Sequence, residues 1–276
     1  LKVASPTSPI GPGGFAAFEG MGDEIRIGSR VQVDGHGFGV VALDNLDGTW
    51  LVMFDDDSEG DFPTARIRLS DVWMPDMTIG NTNNPSAALI WLHGLTDDPE
   101  GWGDIFSSGL APMLAYMRID LPCAPMQHAS CVGQGQITTS WYDIQALPMT
   151  LSRPDPGTGQ RESIDRVLGL IDFAIADGIP PSRIVVGGHS QGGALALAAT
   201  LQARVAIAGC IVLSGWALPS QGLATCASSS PTIAGGTRFL VCHGDQDDTV
   251  QLECGQHVAD LLQQSACAEP NLRFRT

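Results

Sequence analysis

Apolar and polar residues change rhythm along this chain. From residue 25 to 70 the apolar positions fall into short runs separated by polar turns. The runs are Arg30-Val31-Gln32-Val33, Gly39-Val40-Val41-Ala42-Leu43, Trp50-Leu51-Val52-Met53-Phe54 and Arg66-Ile67-Arg68-Leu69. Residues 45–48 and 55–60 supply the turns, and four or five strands of this length predict a small all-β barrel. Residues 1–24 carry Pro6, Pro9, Gly11, Pro12, Gly13 and Gly14 and read as a flexible lead-in. Residues 71–85, with Pro75, Asn81, Asn83 and Asn84, read as a linker.

From residue 86 strand and helix patterns alternate. Residues 87–93 (Ala-Ala-Leu-Ile-Trp-Leu-His) predict a buried strand, and Met117–Leu121 a second. Over 162–176, Ile164, Val167, Leu168, Ile171 and Ile175 recur at spacings of three and four, an amphipathic helix stopped by Gly178 and Pro180. A strand over 183–187, a helix over 192–201 and strands over Gly209–Leu213 and Arg238–Cys242 follow. A helix over Leu252–Gln264 and a final strand from Asn271 complete the pattern. Such alternation predicts an α/β fold, a mainly parallel sheet covered on both faces, behind the small barrel.

Composition narrows the function. Of 276 residues, 43% are hydrophobic and 16% charged, which supports a sizeable core. The formal charge of −16 repels phosphate backbones and argues against a nucleic-acid partner. It also limits any membrane contact to a transient one at the surface. The apolar stretches 194–201 and 205–213 fall short of the ~18 residues of a spanning helix, and residues 1–12 lack the basic-then-apolar pattern of a signal peptide. Seven cysteines without a CxxC pair fit scattered thiols in a reducing compartment, so the cytoplasm is the expected location.

The chemistry centres on Gly188-His189-Ser190-Gln191-Gly192, a G-x-S-x-G sequence. It follows the apolar run Ile184-Val185-Val186 and opens an apolar helix, the strand–turn–helix setting of a nucleophile elbow. Flanking glycines permit a tight turn that pushes a strained serine outward, and the helix start supplies amides for a developing oxyanion. The competing structural reading is a small-residue contact between helix and strand. Leu92-His93-Gly94-Leu95-Thr96, after the first strand, is positioned to supply a second amide. Asp245, Asp247 and Asp248, after the strand over 238–242, offer a triad acid in the order Ser…Asp…His. Taken alone, that acidic loop reads as a solvated turn. No metal or organic cofactor is called for.

Two resemblances add to this reading. The first block resembles SH3-like modules of the Tudor or CAP-Gly kind through Gly28-Ser29-Arg30-Val31, Gly37-Phe38-Gly39-Val40 and Trp50…Phe54-Asp55-Asp56, without the full glycine-rich groove motif of a CAP-Gly domain. Trp50, Phe54 and Phe62 read as its core, with a peptide-binding cage as the alternative. The second block resembles the acyl-protein thioesterase and carboxylesterase branch of the α/β-hydrolases. The matching stretches include Leu92-His93-Gly94-Leu95, Gly101-Trp102, Pro122-Cys123-Ala124-Pro125 and Ser140-Trp141-Tyr142-Asp143-Ile144. They continue through Gly178-Ile179-Pro180, the elbow, Leu213-Ser214-Gly215-Trp216 and His243-Gly244-Asp245…Asp247.

That second resemblance implies hydrolysis of acyl thioesters on proteins and of small or lipid esters. By position it makes Ser190 the nucleophile, Asp247 the triad acid and Asp245 a residue that holds the loop. It assigns the oxyanion amides to Leu95 and Gln191, and gives Trp141 and Trp216 structural or pocket-lining roles. His93 and His243 become structural, and His189 and Thr96 stand where the family usually has an aromatic and a glycine. The family's triad histidine follows the strand that begins at Asn271. None of His36, His93, His128, His189, His243 and His257 occupies that position, and the chain stops at Thr276. The expectation is therefore that these 276 residues are a fragment, cut before the base. The rivals are a carboxylesterase for short soluble esters and a catalytically incomplete scaffold.

Overall fold

Ser190 sits at the carboxyl edge of a parallel sheet, and the fold is best followed from that sheet outward. The structure, a computed structural model, describes residue 25 and residues 30–54, 58–69, 76–110, 112, 114–133, 137–152, 159–218, 230–265 and 271–276. The expected lead-in over 1–24 lies outside these residues, as do Gly28, Ser29, Asp55, Asp56 and residues 71–75 of the expected linker. The chain forms two compact units, Leu1–Asp71 and Val72–Thr276.

In the first unit, β1 (Arg30–Val33), β2 (Gly37–Asp44), β3 (Thr49–Phe54), β4 (Glu59–Pro63) and β5 (Ile67–Leu69) pair antiparallel in the order β4-β3-β2-β1-β5. Val31, Val33, Val41, Val52, Phe62 and Ile67 form its core, as period-two burial in short strands requires. β4 begins within the stretch expected to be a turn. Its Phe62 is drawn into the core, and Phe54 N donates to Ser58 O at 2.7 Å. Trp50 and Phe54 pack partly buried against this core. The Arg66 guanidinium stands over the Phe62 ring at 5.4 Å.

The second unit carries β6 (Met77–Gly80), β7 (Ala87–Leu92), α1 (Pro99–Gly109), β8 (Met117–Leu121), the hairpin β9 (Met126–His128) and β10 (Ile137–Thr139), α2 (Gln160–Ala176) and β11 (Ile184–His189). Then come α3 (Gln191–Gln202), β12 (Gly209–Leu213), α4 (Pro231–Ala234), β13 (Arg238–Cys242), α5 (Leu252–Gln264) and β14 (Leu272–Arg275). Seven strands form one sheet in the order β14-β13-β12-β11-β7-β8-β6, parallel except for β6. Alternate residues of β7 divide the core. Ala88, Ile90 and Leu92 join the cluster that includes α2, α3 and α5, while Leu89 and Trp91 face the other way, toward Trp102 and Phe106 of α1. Helix α3 is apolar all round and buried from Gln191 to Leu201, as a helix enclosed by a sheet and a second helix must be.

One boundary differs from expectation. Residues 77–80, placed in the linker, are the antiparallel edge strand β6, because Met77 and Ile79 alternate into the α1-side cluster and Met77 pairs with Leu121. Among the described residues, Cys123, Cys131, Cys210, Cys242 and Cys254 are free of disulfides. No helix among them is long and apolar enough to cross a membrane.

Candidate active site

Strand β11 ends at His189, α3 begins at Gln191, and Ser190 between them has φ 54° and ψ −119°. That left-handed backbone is strained for a residue with a side chain, by roughly 1–3 kcal/mol. Backbone contacts on either side hold it. A Cβ on Gly188 would lie 2.5 Å from Gly192 C and O, and one on Gly192 would lie 2.2 Å from Leu92 O. Only glycine permits these approaches. Ser190 N donates to Leu213 O at 2.8 Å, and Ser190 O accepts from Ala194 N at 3.1 Å, which fixes the turn against β12 and the new helix. Among the described residues, no protein partner takes a hydrogen bond from or gives one to Ser190 Oγ.

Gly94, Leu95, Thr96, Asp97, His189 and Ser190 line an open cleft of about 320 Å³. Gly94 lets the loop after β7 close on the elbow: its Cβ would come 3.6 Å from that of Ser190. In this loop Thr96 N is taken by Thr139 O (2.9 Å) and Asp97 N by Gly94 O (3.4 Å). Leu95 N has no such acceptor among the described residues. Gln191 N, at the first position of α3, has no intrahelical acceptor either. Leu95 N and Gln191 N are thus among the amides without an acceptor in the described residues. Thr96 occupies the left-handed region at φ 65°, which explains why a glycine suits that position.

Behind this wall runs a buried polar chain. The Gln191 side chain donates through Nε2 to Tyr142 O (2.7 Å) and Ser140 Oγ (3.0 Å), while its Oε1 accepts from Trp141 N at 3.0 Å. Trp141 Nε1 donates to His93 O at 2.9 Å, and the indole is buried, with the Arg166 guanidinium 5.7 Å from its centroid. His93 donates through Nδ1 to Gly94 O (2.7 Å) and accepts through Nε2 from Ala124 N (2.9 Å), which fixes a neutral imidazole. Burial pushes its pKa below the ordinary 6.5, against the pull of Asp97 and Asp98. Trp216 is also buried and, like Trp141, is not among the cleft-lining side chains.

On the loop after β13, Asp247 Oδ1 accepts from Thr249 N (3.0 Å) and Val250 N (2.8 Å). Its Oδ2 stands 3.7 Å from His243 Nε2, which itself donates to Val250 O at 2.7 Å. Asp245 was expected to hold this loop. It is exposed, and the backbone anchor is the Asp247 carboxylate, since only that side chain turns back onto the 249–250 amides. Asp247 also reaches the elbow electrostatically. Burial lowers the His189 pKa, and both Asp97 and Asp247 oppose that shift.

His189, which stands where the family usually has an aromatic, lines the cleft beside Ser190. Its ring packs on Trp102 (5.8 Å between centroids), and Trp102 Nε1 donates to Asp97 Oδ2 at 2.7 Å. His36 lies in the first unit, His128 on β9 and His257 on α5. The thiols are poor nucleophile candidates: burial pushes Cys210 up to about 12 and Cys254 to about 11. No group of three or more His, Cys, Asp or Glu side chains among the described residues could hold a metal ion.

Sheet order, left-handed serine and immediate helix define an α/β-hydrolase with a serine elbow. Residues 76–273 match the family described as phospholipase/carboxylesterase, and the chain belongs to that family of hydrolases. A probable carboxylesterase of Oryza sativa subsp. japonica is 38% identical over 175 residues, 63% of this chain and 64% of that protein. Acyl-protein thioesterase 1 of Mycosarcoma maydis is 36% identical over 204 residues, 70% of this chain and 82% of that one. The chain thus spans less than two thirds of the rice relative's length. Among solved structures, Arabidopsis thaliana SOBER1 superposes with a TM-score of 0.60 at 30% identity, covering 68% of this chain and 87% of SOBER1. Acyl-protein thioesterase 2 of Zea mays gives 0.58 at 26% identity, covering 73% and 88%.

Proposed function

We propose that the second unit is a serine hydrolase that cleaves carboxylic esters and thioesters through an acyl-enzyme on Ser190. The observation that carries this reading is the strained Ser190 at φ 54°, which lines the cleft with Leu95 and leads directly into α3 at Gln191. The hydroxyl oxygen attacks the substrate carbonyl while its proton passes to a base, and the negative charge that develops on the carbonyl oxygen is met by the two amides. Collapse expels the alcohol or thiol, which takes up the proton. Water then hydrolyses the acyl-serine by the reverse sequence. Asp247 orients the imidazole that shuttles the proton; that imidazole is not assigned to any of the six histidines of this chain.

Acylated proteins and small or lipid esters, in the cytoplasm, are the substrates this reading assigns, supported by relatives named as acyl-protein thioesterase and carboxylesterase. One observation favours short, soluble esters as a second reading: of the side chains lining the described cleft, only Leu95 is aliphatic. Turnover that rises with acyl length supports the first reading, and turnover that falls supports the second. For the five-stranded unit, the glycine turns and short strands support an SH3-like module with a peptide partner.

The decisive experiment is Ser190→Ala in the full-length protein. Hydrolysis of a p-nitrophenyl ester should fall by about 10³-fold or more, with the melting temperature within a few degrees of the parent. Labelling by a fluorophosphonate should vanish with it. Labelling that persists at another residue, or an unreactive parent protein, defeats the proposal, the latter in favour of the catalytically incomplete scaffold.

A further inference from the structure

His189 lies beside Ser190 with its hydrogen-bonding capacity unused among the described residues. Asp97 gives one carboxylate oxygen to Trp102 Nε1 and the other to Asp98 N. His93 has both ring nitrogens engaged, and Gln191 makes buried contacts through both atoms of its amide. His189 lines the cleft beside the nucleophile, and neither of its nitrogens has a hydrogen-bond partner among the described residues.

The ring is nonetheless held in place. It packs against the Trp102 indole, and Trp102 is tied to Asp97, so the orientation is set without either nitrogen being used. Its Nδ1 lies 3.3 Å from where a Cβ of Gly94 would be, so the glycine lets the ring sit close against that loop. A half-buried imidazole that is oriented by packing and left unbonded is pre-organised for a ligand.

The chemistry of that ligand follows from the surroundings. Burial favours the neutral imidazole, which offers one donor and one acceptor. Asp97 lines the cleft, and it and Asp247 act electrostatically on the His189 ring, which makes the site unfavourable to an anion such as a phosphodiester. An uncharged group that donates and accepts suits both conditions, and an amide or a hydroxyl is such a group.

We propose that His189 is a specificity-determining residue, its imidazole hydrogen-bonding an uncharged amide or hydroxyl that lies within a few atoms of the scissile carbonyl. This rests on the reading of Ser190 as nucleophile. Esters and thioesters carrying such a group are then preferred to hydrocarbon ones of the same length.

The test compares two thioesters of butanoic acid: one with N-acetylcysteamine, which carries an amide, and one with pentanethiol, which does not. The full-length protein should favour the first by about tenfold in kcat/KM, the scale of one hydrogen bond. His189→Phe, which keeps a ring against Trp102, should bring that ratio close to one, and His189→Gln should restore part of it. A ratio unchanged in His189→Phe overturns the proposal.

A second measurement needs no catalysis. In Ser190→Ala protein, saturating S-butanoyl-N-acetylcysteamine should shift the imidazole ¹⁵N resonances of His189, and the hydrocarbon thioester should not. Resonances that stay in place overturn the assignment of His189. A full-length protein that hydrolyses neither thioester overturns the serine-hydrolase reading, and the ¹⁵N shifts then decide the role of His189 by themselves.

Discussion

His93 and Asp247 show how much depends on which atom of a side chain is engaged. His93 Nε2 must stay unprotonated to accept from Ala124 N, and burial lowers its pKa below 6.5. In the unfolded chain the same ring takes its proton near 6.5. Below that value the unfolded state therefore holds more protons, and stability falls as the pH falls toward and through the folded-state pKa; above it the contribution is complete and constant. The melting temperature should drop between pH 7 and pH 5, and His93→Gln, which cannot titrate, should flatten that slope. Asp247 combines a loop anchor with the acid role proposed for it. Asp247→Asn should cost on the order of 10⁴ in turnover by favouring the wrong imidazole tautomer. Exposed Asp245, changed to Asn, should leave both turnover and melting temperature near the parent. A folded but inactive Asp245 variant beside an active Asp247 variant would reverse the assignment.

At the level of elements, strands with unbroken apolar runs were legible because both their faces are covered. β12 and β13 fall on their expected residues, as do β8, although Arg118 and Asp120 interrupt its apolar positions, and α5, whose Cys254, Val258 and Leu262 recur on one face. Elements that depend on distant partners were not legible. β6 has four residues and exists because Met77–Gly80 pairs with β8; β9 and β10 are three residues each. Helix α1 carries three glycines, and its signal lay in its start, where Asp98 caps the amides of Glu100 and Gly101 ahead of Pro99. The strand–elbow–helix order around Ser190 was readable from glycine spacing, whereas the exposure of His189 to the cleft follows from the position of α1 and was not. The start of α3 depends on the Gln191 side chain. Gln191→Ala strands the buried Trp141 amide, at about 1–3 kcal/mol, while Tyr142 O keeps its bond from Ser140 Oγ. A melting temperature lower by several degrees would show it; an unchanged one would mean the loop over 140–142 is held by other contacts.

Across the whole molecule the charge balance of −16 is borne with a single lysine, Lys2, and thirteen arginines. Several of those arginines are engaged within the second unit: Arg118 with Asp120 and Asp177, Arg166 with Asp76, and Arg161 with Asp165. The excess of carboxylates steers small cations toward the protein, with a reach of about 10 Å at 0.1 M salt. Under the proposed activity, kcat/KM for a choline thioester should fall several-fold between 20 mM and 500 mM salt, while that for a neutral thioester of equal length changes little. Equal salt dependence for the two would remove long-range charge from the account of substrate capture.

The chain of buried bonds from Gln191 through Trp141 and His93 to Ala124 also sets the terms on which the protein can be re-engineered. Residues 93, 141 and 191 form a frame in which each change leaves another group without its partner, so diversity introduced there is lost to misfolding before selection can act. Leu95 and His189 face the cleft with side chains that no polar contact restrains, and Thr96 has its side chain exposed on a backbone that tolerates Gly or Asn. A combinatorial library confined to those three positions would alter what the cleft accepts while leaving the frame, and with it the elbow, intact.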